Sequence, residues 1–277
     1  MKIDVHQHFW KYNEQDYDWM GPDMKALQQD YLPDKLAPLL KQAGIEGTVT
    51  VQARQCLEEN DFLLRLTDEN SFIKAVVGWV DLRSPQLEVQ LERYCWHPKF
   101  RGVRHVLHDE PDKHFMLSED FVRGISKLRK YNLAYDLLLF PEHLPVACEL
   151  VRKCSEQIFV LDHISKPAIK QGKFKPWDSD IRKLASFKNV SCKISGMVTE
   201  ADRQSWKPKD FKPYMDIVLE CFGTERVMIG SDWPVCTLAG NYQQVIGIVD
   251  NYIRKLSPDE RDAIWSENPQ RIYGIFI

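Results

Sequence analysis

Two histidines separated by one residue, His6 and His8, follow the short run Ile3-Asp4-Val5. Side chains on an extended strand alternate faces with period two, so both imidazoles leave the strand on the same side. Two imidazoles so placed can grip a metal ion or aim at a substrate. A strand cap and a hydrogen-bonded core histidine would be the plainer use of the pair. Ionisable residues recur at the ends of other apolar runs. Arg104 and His105 close Phe100-Arg101-Gly102-Val103-Arg104-His105, Asp136 lies in Leu133–Leu139, and Asp162-His163 follow Leu161. Lys193 lies within Val190–Ser195, and Asp232 stands in Gly230-Ser231-Asp232-Trp233-Pro234. Such groups are costly inside apolar strands unless paired or used, so their recurrence points to a functional site on one rim.

His6, His8, His163 and Asp232 make a chemically coherent set. Three imidazoles and a carboxylate can ligate one zinc or manganese ion, or hold a water without metal. Asp232 beside that water is the candidate general base, with His163, His6 and His8 polarising the attacked group. Lys193 or Arg104 can bind substrate oxygens and stabilise a developing oxyanion. The competing use of Arg104 and Lys193 is a buried salt bridge with Asp136. His105 and Asp136 complete the rim. Trp10, Trp79, Trp177 and Trp233 offer aromatic faces for a sugar, with Trp79 and Trp233 favoured by their strand-end positions. Arg101 reads instead as a structural residue below the site.

Positioning these residues requires strands that all end on one side. The expected strands are Ile3–His8, Thr48–Ala53, Lys74–Asp81, Phe100–Val106, Leu133–Leu139, Ile158–Ser165, Val190–Ser195 and Arg226–Asp232. Several are apolar nearly throughout, as parallel strands covered on both faces are. Amphipathic helices fall between them. Leu36, Leu39, Leu40 and Ala43 keep helical spacing up to a stop at Gly44, Ser118 is a candidate N-cap, and Tyr242 to Ile253 forms an apolar stripe. Ser257-Pro258-Asp259-Glu260 combines a cap, a first-turn proline and a capping-box glutamate. Eight strands alternating with helices predict an α/β fold, a (β/α)8 TIM barrel in a single domain over residues 1–277. A doubly wound sheet would want a glycine-rich turn after its first strand, where this chain has His-Gln-His. The aperiodic, Trp- and Tyr-rich stretch 9–33 is expected to loop over the barrel mouth.

Composition narrows the classes further. The 277 residues include 44% hydrophobic types and carry a formal charge of −3, with no basic stripe of the kind a general nucleic-acid binder needs. No apolar run approaches the ~18 residues of a membrane helix. The seven cysteines show no CxxC spacing, which fits reduced thiols in a cytoplasmic protein better than a disulfide framework. With the HxH motif six residues from the first methionine, no presequence is expected. The partner expected is a small molecule, with no nucleic acid and no membrane, and a homo-oligomer compatible with all of this.

The strand-end set resembles that of the amidohydrolase superfamily, in its amidohydrolase-2 branch, and within it the sugar-lactone hydrolases of the L-fuconolactonase and L-rhamnonolactonase type. The resemblance covers nearly the whole chain. It rests on Asp4-Val5-His6-Gln7-His8-Phe9-Trp10, Val77-Gly78-Trp79-Val80-Asp81-Leu82 and the strand ending Arg104-His105. It continues in Leu161-Asp162-His163-Ile164-Ser165-Lys166-Pro167, Cys192-Lys193-Ile194-Ser195-Gly196 and Gly230-Ser231-Asp232-Trp233-Pro234-Val235-Cys236. It implies a distorted barrel that hydrolyses the ester of a sugar lactone to the aldonic acid. His6, His8 and His163 would be metal ligands or carbonyl polarisers, and Asp232 the base. The product's place would be in carbohydrate metabolism, after a sugar dehydrogenase. The fourth strand carries no lysine placed to bridge two metals, so the cofactor expected is one divalent ion, zinc by preference, or none. The rival readings are a metal-dependent decarboxylase of an aromatic or β-keto acid, a hydrolase of a muconolactone-type lactone, and a non-catalytic binding protein.

Overall fold

The apolar runs become the staves of a barrel. In the computed structural model, which describes residues 1–276, eight parallel strands lie side by side in sequence order. They are β1 Ile3–Gln7, β2 Gly47–Val51, β3 Ile73–Gly78, β4 Phe100–His105, β5 Ala134–Leu137, β6 Phe159–Leu161, β7 Val190–Ile194 and β8 Val227–Ile229. Helices between them cover the outside, so β1, β2, β5, β6, β7 and β8 are buried along their whole length. The first and last strands meet just above β8. Gln7 bridges to Trp233, the Asp232 amide donates to the His6 carbonyl at 2.8 Å, and the His8 amide donates to the Trp233 carbonyl at 2.7 Å. That contact makes a single-domain (β/α)8 barrel, where a doubly wound sheet would leave two free edges.

The seam explains two residues. A Cβ on Gly230 would sit 2.6 Å from the Cβ of His6, so glycine lets the two strands approach. Buried Asp4 pins the seam from outside, accepting from the Ser231 amide at 2.9 Å and from the Tyr242 hydroxyl at 2.9 Å. Tyr242 opens the helix Tyr242–Ile253, whose first turn is closed by Asn241 and Gln244 in a reciprocal cap.

Ile3, Val5, Val49, Val51, Ala75, Val77, Val160 and Met228 pack as one interior cluster together with Ile272, Tyr273 and Ile275 from the chain's end. The C-terminal helix Asn268–Tyr273 therefore stoppers the lower end of the barrel. The expected helix stop at Gly44 holds, with φ at +67°. Ser118 does stand before the helix Glu119–Leu128, but its hydroxyl makes no capping bond. Ser257 does cap, accepting from the Glu260 amide. Strand six is shorter than expected and stops at Leu161, because His163, Ile164, Ser165 and Lys166 are all left-handed, with φ between 47° and 61°. All seven cysteines are free. No helix among the described residues is long and apolar enough to cross a membrane.

Candidate active site

Three backbone irregularities aim the site's side chains. The pairing of β1 with β2 shifts register between Asp4 and Gln7, a bulge of the kind that re-aims a side chain. Val5 stays in the interior cluster while His6 also turns inward, and His8 follows it. Gln7 points the other way and donates to the Thr48 and Thr50 hydroxyls. The left-handed run at His163–Lys166 swings His163 over the barrel axis, and Asp232 is likewise left-handed at φ 57°. Such conformations cost roughly 1–2 kcal/mol for each non-glycine residue, and persist where packing over-determines them.

The histidines are held by their outer nitrogens. Nδ1 of His8 lies 2.8 Å from the Val51 carbonyl, which can only accept, so Nδ1 donates there and the ring turns Nε2 towards Asp232. Nδ1 of His163 lies 2.8 Å from the Ser195 hydroxyl. Residue 196 must be glycine, because a Cβ there would come 2.6 Å from that ring and its own φ is +61°. Burial drives His163 down to about 4 despite the neighbouring carboxylates Asp232 and Asp162, and holds His6 well below the ordinary histidine value. Both imidazoles are neutral at neutral pH.

Asp232 stands among these rings without a cationic side chain. Its Oδ1 is 3.4 Å from Nε2 of His8, 3.8 Å from Nε2 of His6 and 3.9 Å from Nε2 of His163. These are long for hydrogen bonds, but close to the roughly 3.3 Å edge of a tetrahedron with ~2.0 Å metal–ligand arms. Burial alone would raise the Asp232 carboxyl. His163, His8 and His6 outweigh it and hold the group below the usual carboxylate range. An ionised carboxylate facing three ring nitrogen atoms suits a divalent cation. The groupings His6–His8–Asp232 and His6–Asp162–His163 both bring their ligand atoms close enough to share one ion.

Beneath this set the charges are paired. Nζ of Lys193 lies 2.5 Å from Asp136, 3.0 Å from Asp162 and 3.1 Å from Nδ1 of His6. Tyr273, from the lower stopper, reaches up to both oxygens of Asp136 at 3.0 and 3.1 Å. Arg104 places Nη1 3.2 Å from Asp162 and 3.3 Å from Nε2 of His6, while Nη2 donates to the Gln52 carbonyl. Its Nε has no partner. Although burial opposes it, the Lys193, His6 and Arg104 contacts hold Asp162 well below the carboxylate range. Burial lifts Asp136 to about 6 against the pull of Lys193.

The sequence pattern of the amidohydrolase family matches residues 3–275. The chain belongs to the amidohydrolase family. It is 40% identical to an L-fucono-1,5-lactonase of Burkholderia multivorans, over 99% of this chain and 96% of that one. A second L-fucono-1,5-lactonase, from Burkholderia ambifaria, is 34% identical over 99% of this chain and 96% of its own. A crystal structure of a Burkholderia multivorans amidohydrolase with bound zinc superposes with a TM-score of 0.97 at 39% identity, covering all of both chains.

In this amidohydrolase the rim opens into a cavity of about 440 Å³, whose lining includes His8, His163, Asp232 and Arg104. Trp10, Trp19 and Met24, all from the segment 9–33, are among the residues that line that cavity. Trp10 is anchored by a bridge to Tyr31 and by bonds from its Nε1 to the Leu27 and Gln29 carbonyls. The other expected substrate contacts lie elsewhere. Lys193 and Asp136 are sealed beneath His6, in the salt bridge weighed as their alternative use, although Arg104 pairs with Asp162 and not with Asp136. His105 turns outward, accepting from Trp79 at 3.3 Å, bonding Glu110 at 2.6 Å and stacking on Phe115. Trp79 follows it. Trp233 packs edge-on against Phe9 and Tyr31, and Trp177 is core, donating to the Ile164 carbonyl. Asp162 was visible as a buried acid beside His163. Gln52, Ser195 and Tyr273 carry no such signal, since their roles arise only when distant strands meet.

Proposed function

We propose that this amidohydrolase opens the ring of a sugar lactone, of the L-fucono-1,5-lactone type, to the free aldonic acid. The observation that carries the reading is the ionised Asp232, buried among three imidazoles at the floor of an open cavity. The full-length likeness to two lactonases supports the substrate class. Asp232 is placed to take a proton from a water while that water's oxygen attacks the lactone carbonyl carbon. His8 and His163, fixed through Val51 and Ser195, keep the water on the Asp232 side. The negative charge that builds on the carbonyl oxygen is met by Arg104, which lines the cavity. As the ring C–O bond breaks, the proton on Asp232 passes to the departing ring oxygen, so that the carboxylate is restored.

His6, His8, His163 and Asp232 would hold one divalent ion, zinc by analogy with the zinc-bound relative, and such an ion would polarise the carbonyl and acidify the water. Added to chelator-treated protein, zinc is expected to raise the unfolding midpoint with increasing concentration, and His8→Ala to abolish that rise. The protein's place is assigned to the cytoplasm and to sugar-acid metabolism, downstream of an oxidation at a sugar's anomeric carbon.

A pH-indicator assay over L-fucono-, L-rhamnono-, L-galactono- and D-arabinono-lactones, with carbon dioxide followed in parallel on aromatic acids, tests the reading. Acid release from one or more sugar lactones is expected. Silence across the panel with carbon dioxide release would contradict it.

A further inference from the structure

Lys166 and Glu200 line the same cavity as Asp232 and form an ion pair of 3.0 Å across its side wall. Lys166 ends the left-handed run that also places His163. A glycine or asparagine would adopt its φ of 47° more cheaply, yet a long cationic side chain stands there. Both side chains are largely buried but keep contact with the cavity, being 17% and 23% exposed. The same cavity is also lined by the apolar side chains of Trp10, Met24, Val235 and Leu238.

We propose that the Lys166–Glu200 pair is the element that recognises the substrate's hydroxyls, gripping two neighbouring ones as a diol. An ammonium only donates and a carboxylate only accepts, whereas each sugar hydroxyl does both. A donor and an acceptor 3.0 Å apart match the spacing of two adjacent hydroxyl oxygens on a ring. One hydroxyl accepts from Lys166 and the other donates to Glu200, while the ring's apolar face rests on the cavity's apolar side chains. This rests on the lactonase reading and narrows it: the lactone carries a vicinal diol, and an unsubstituted or aromatic lactone is handled less well.

Two readouts test the pair. L-fucose, which has the hydroxyls but no ester, is titrated against the fluorescence of the tryptophans, two of which line the cavity. The ratio of kcat/KM for L-fucono-1,5-lactone over δ-valerolactone is then measured. Lys166→Met and Glu200→Gln are each expected to weaken L-fucose binding, and to lower that ratio, at least about tenfold, the scale of a hydrogen bond to a charged group. Lys166→Arg, which keeps a donor, is expected to lose less. Parental L-fucose affinity in both variants, equal losses on the two lactones, or no L-fucose binding by the parent would each overturn the proposal. A parent that hydrolyses no sugar lactone, yet binds L-fucose through Lys166, would overturn the lactonase reading and leave the diol grip standing.

Discussion

The lower interior of the barrel and the rim above it hold buried charges in opposite states. Below, Lys193 sits between Asp136 and Asp162, and Tyr273 closes the far side of Asp136. Above, Asp232 is as buried as they are, but meets three imidazoles at 3.4 to 3.9 Å and no lysine or arginine among its described ion-pair partners. The two sets are joined through His6, which touches both. Within one cluster, three carboxylates thus share one lysine and one arginine. The paired charges hold the geometry beneath, and the carboxylate without a cationic partner is the one proposed for chemistry. A buried charge without a cationic partner is uncommon, which is why Asp232 is the proposed working group.

The contrast can be broken residue by residue. Asp232→Asn removes the proposed base and keeps the shape. Turnover at saturating lactone is expected to fall about 10³-fold, the scale of general-base catalysis, read by acid release. Near-parental turnover would place the base elsewhere. Lys193→Met leaves Asp136 without its cation and Asp162 with Arg104 alone, and a loss of about 3–5 kcal/mol in urea unfolding is expected. A loss below about 1 kcal/mol would show that the lower set is not a paired unit.

Glu59 sharpens the comparison as an intermediate case. Its carboxylate accepts from the Ala53 and Arg54 amides but leaves Oε2 without a hydrogen bond. Burial lifts it to about 7 against those amides and the Arg54 charge. A carboxyl raised on folding binds its proton more tightly in the folded state. Its contribution is therefore complete below the unfolded value of 4.5 and is lost as pH rises towards 7. Glu59→Gln stays neutral, so its stability relative to the parent is expected to improve between about pH 5 and about pH 8. Parallel urea midpoints at the two pH values would contradict that. The smallest effect is expected for Tyr273→Phe, which deletes one hydroxyl from Asp136 and is expected to cost about 1 kcal/mol of stability.

The repeating apolar runs with polar ends made the barrel legible from sequence, because a parallel strand buried on both faces shows itself without partners. His6, His8, His163 and Asp232 were legible for the same reason, as ionisable groups at the ends of such runs. Which way a side chain turns beyond a strand's end was not. His105 follows Arg104 by one residue and faces the helices instead of the cavity, as alternation requires, and Trp79 goes with it. The bulge in β1 and the left-handed run at His163–Lys166 have no period to betray them. Lys166 was therefore passed over although it lines the cavity, and strand six was drawn to Ser165. Tyr273 lies 137 residues from Asp136 in sequence, and nothing local indicates that the last helix stoppers the barrel.

The most direct measurement is the unfolding free energy of metal-free Asp232→Asn beside metal-free parent, in urea with chelator. The imidazoles hold the Asp232 carboxyl below its usual range, so the neutral amide is expected to cost some stability. It strands no opposite charge, however, and a loss well short of that for Lys193→Met is expected while turnover collapses. A loss of about 3 kcal/mol or more, as expected for Lys193→Met, would show that Asp232 is a paired structural charge like those beneath it.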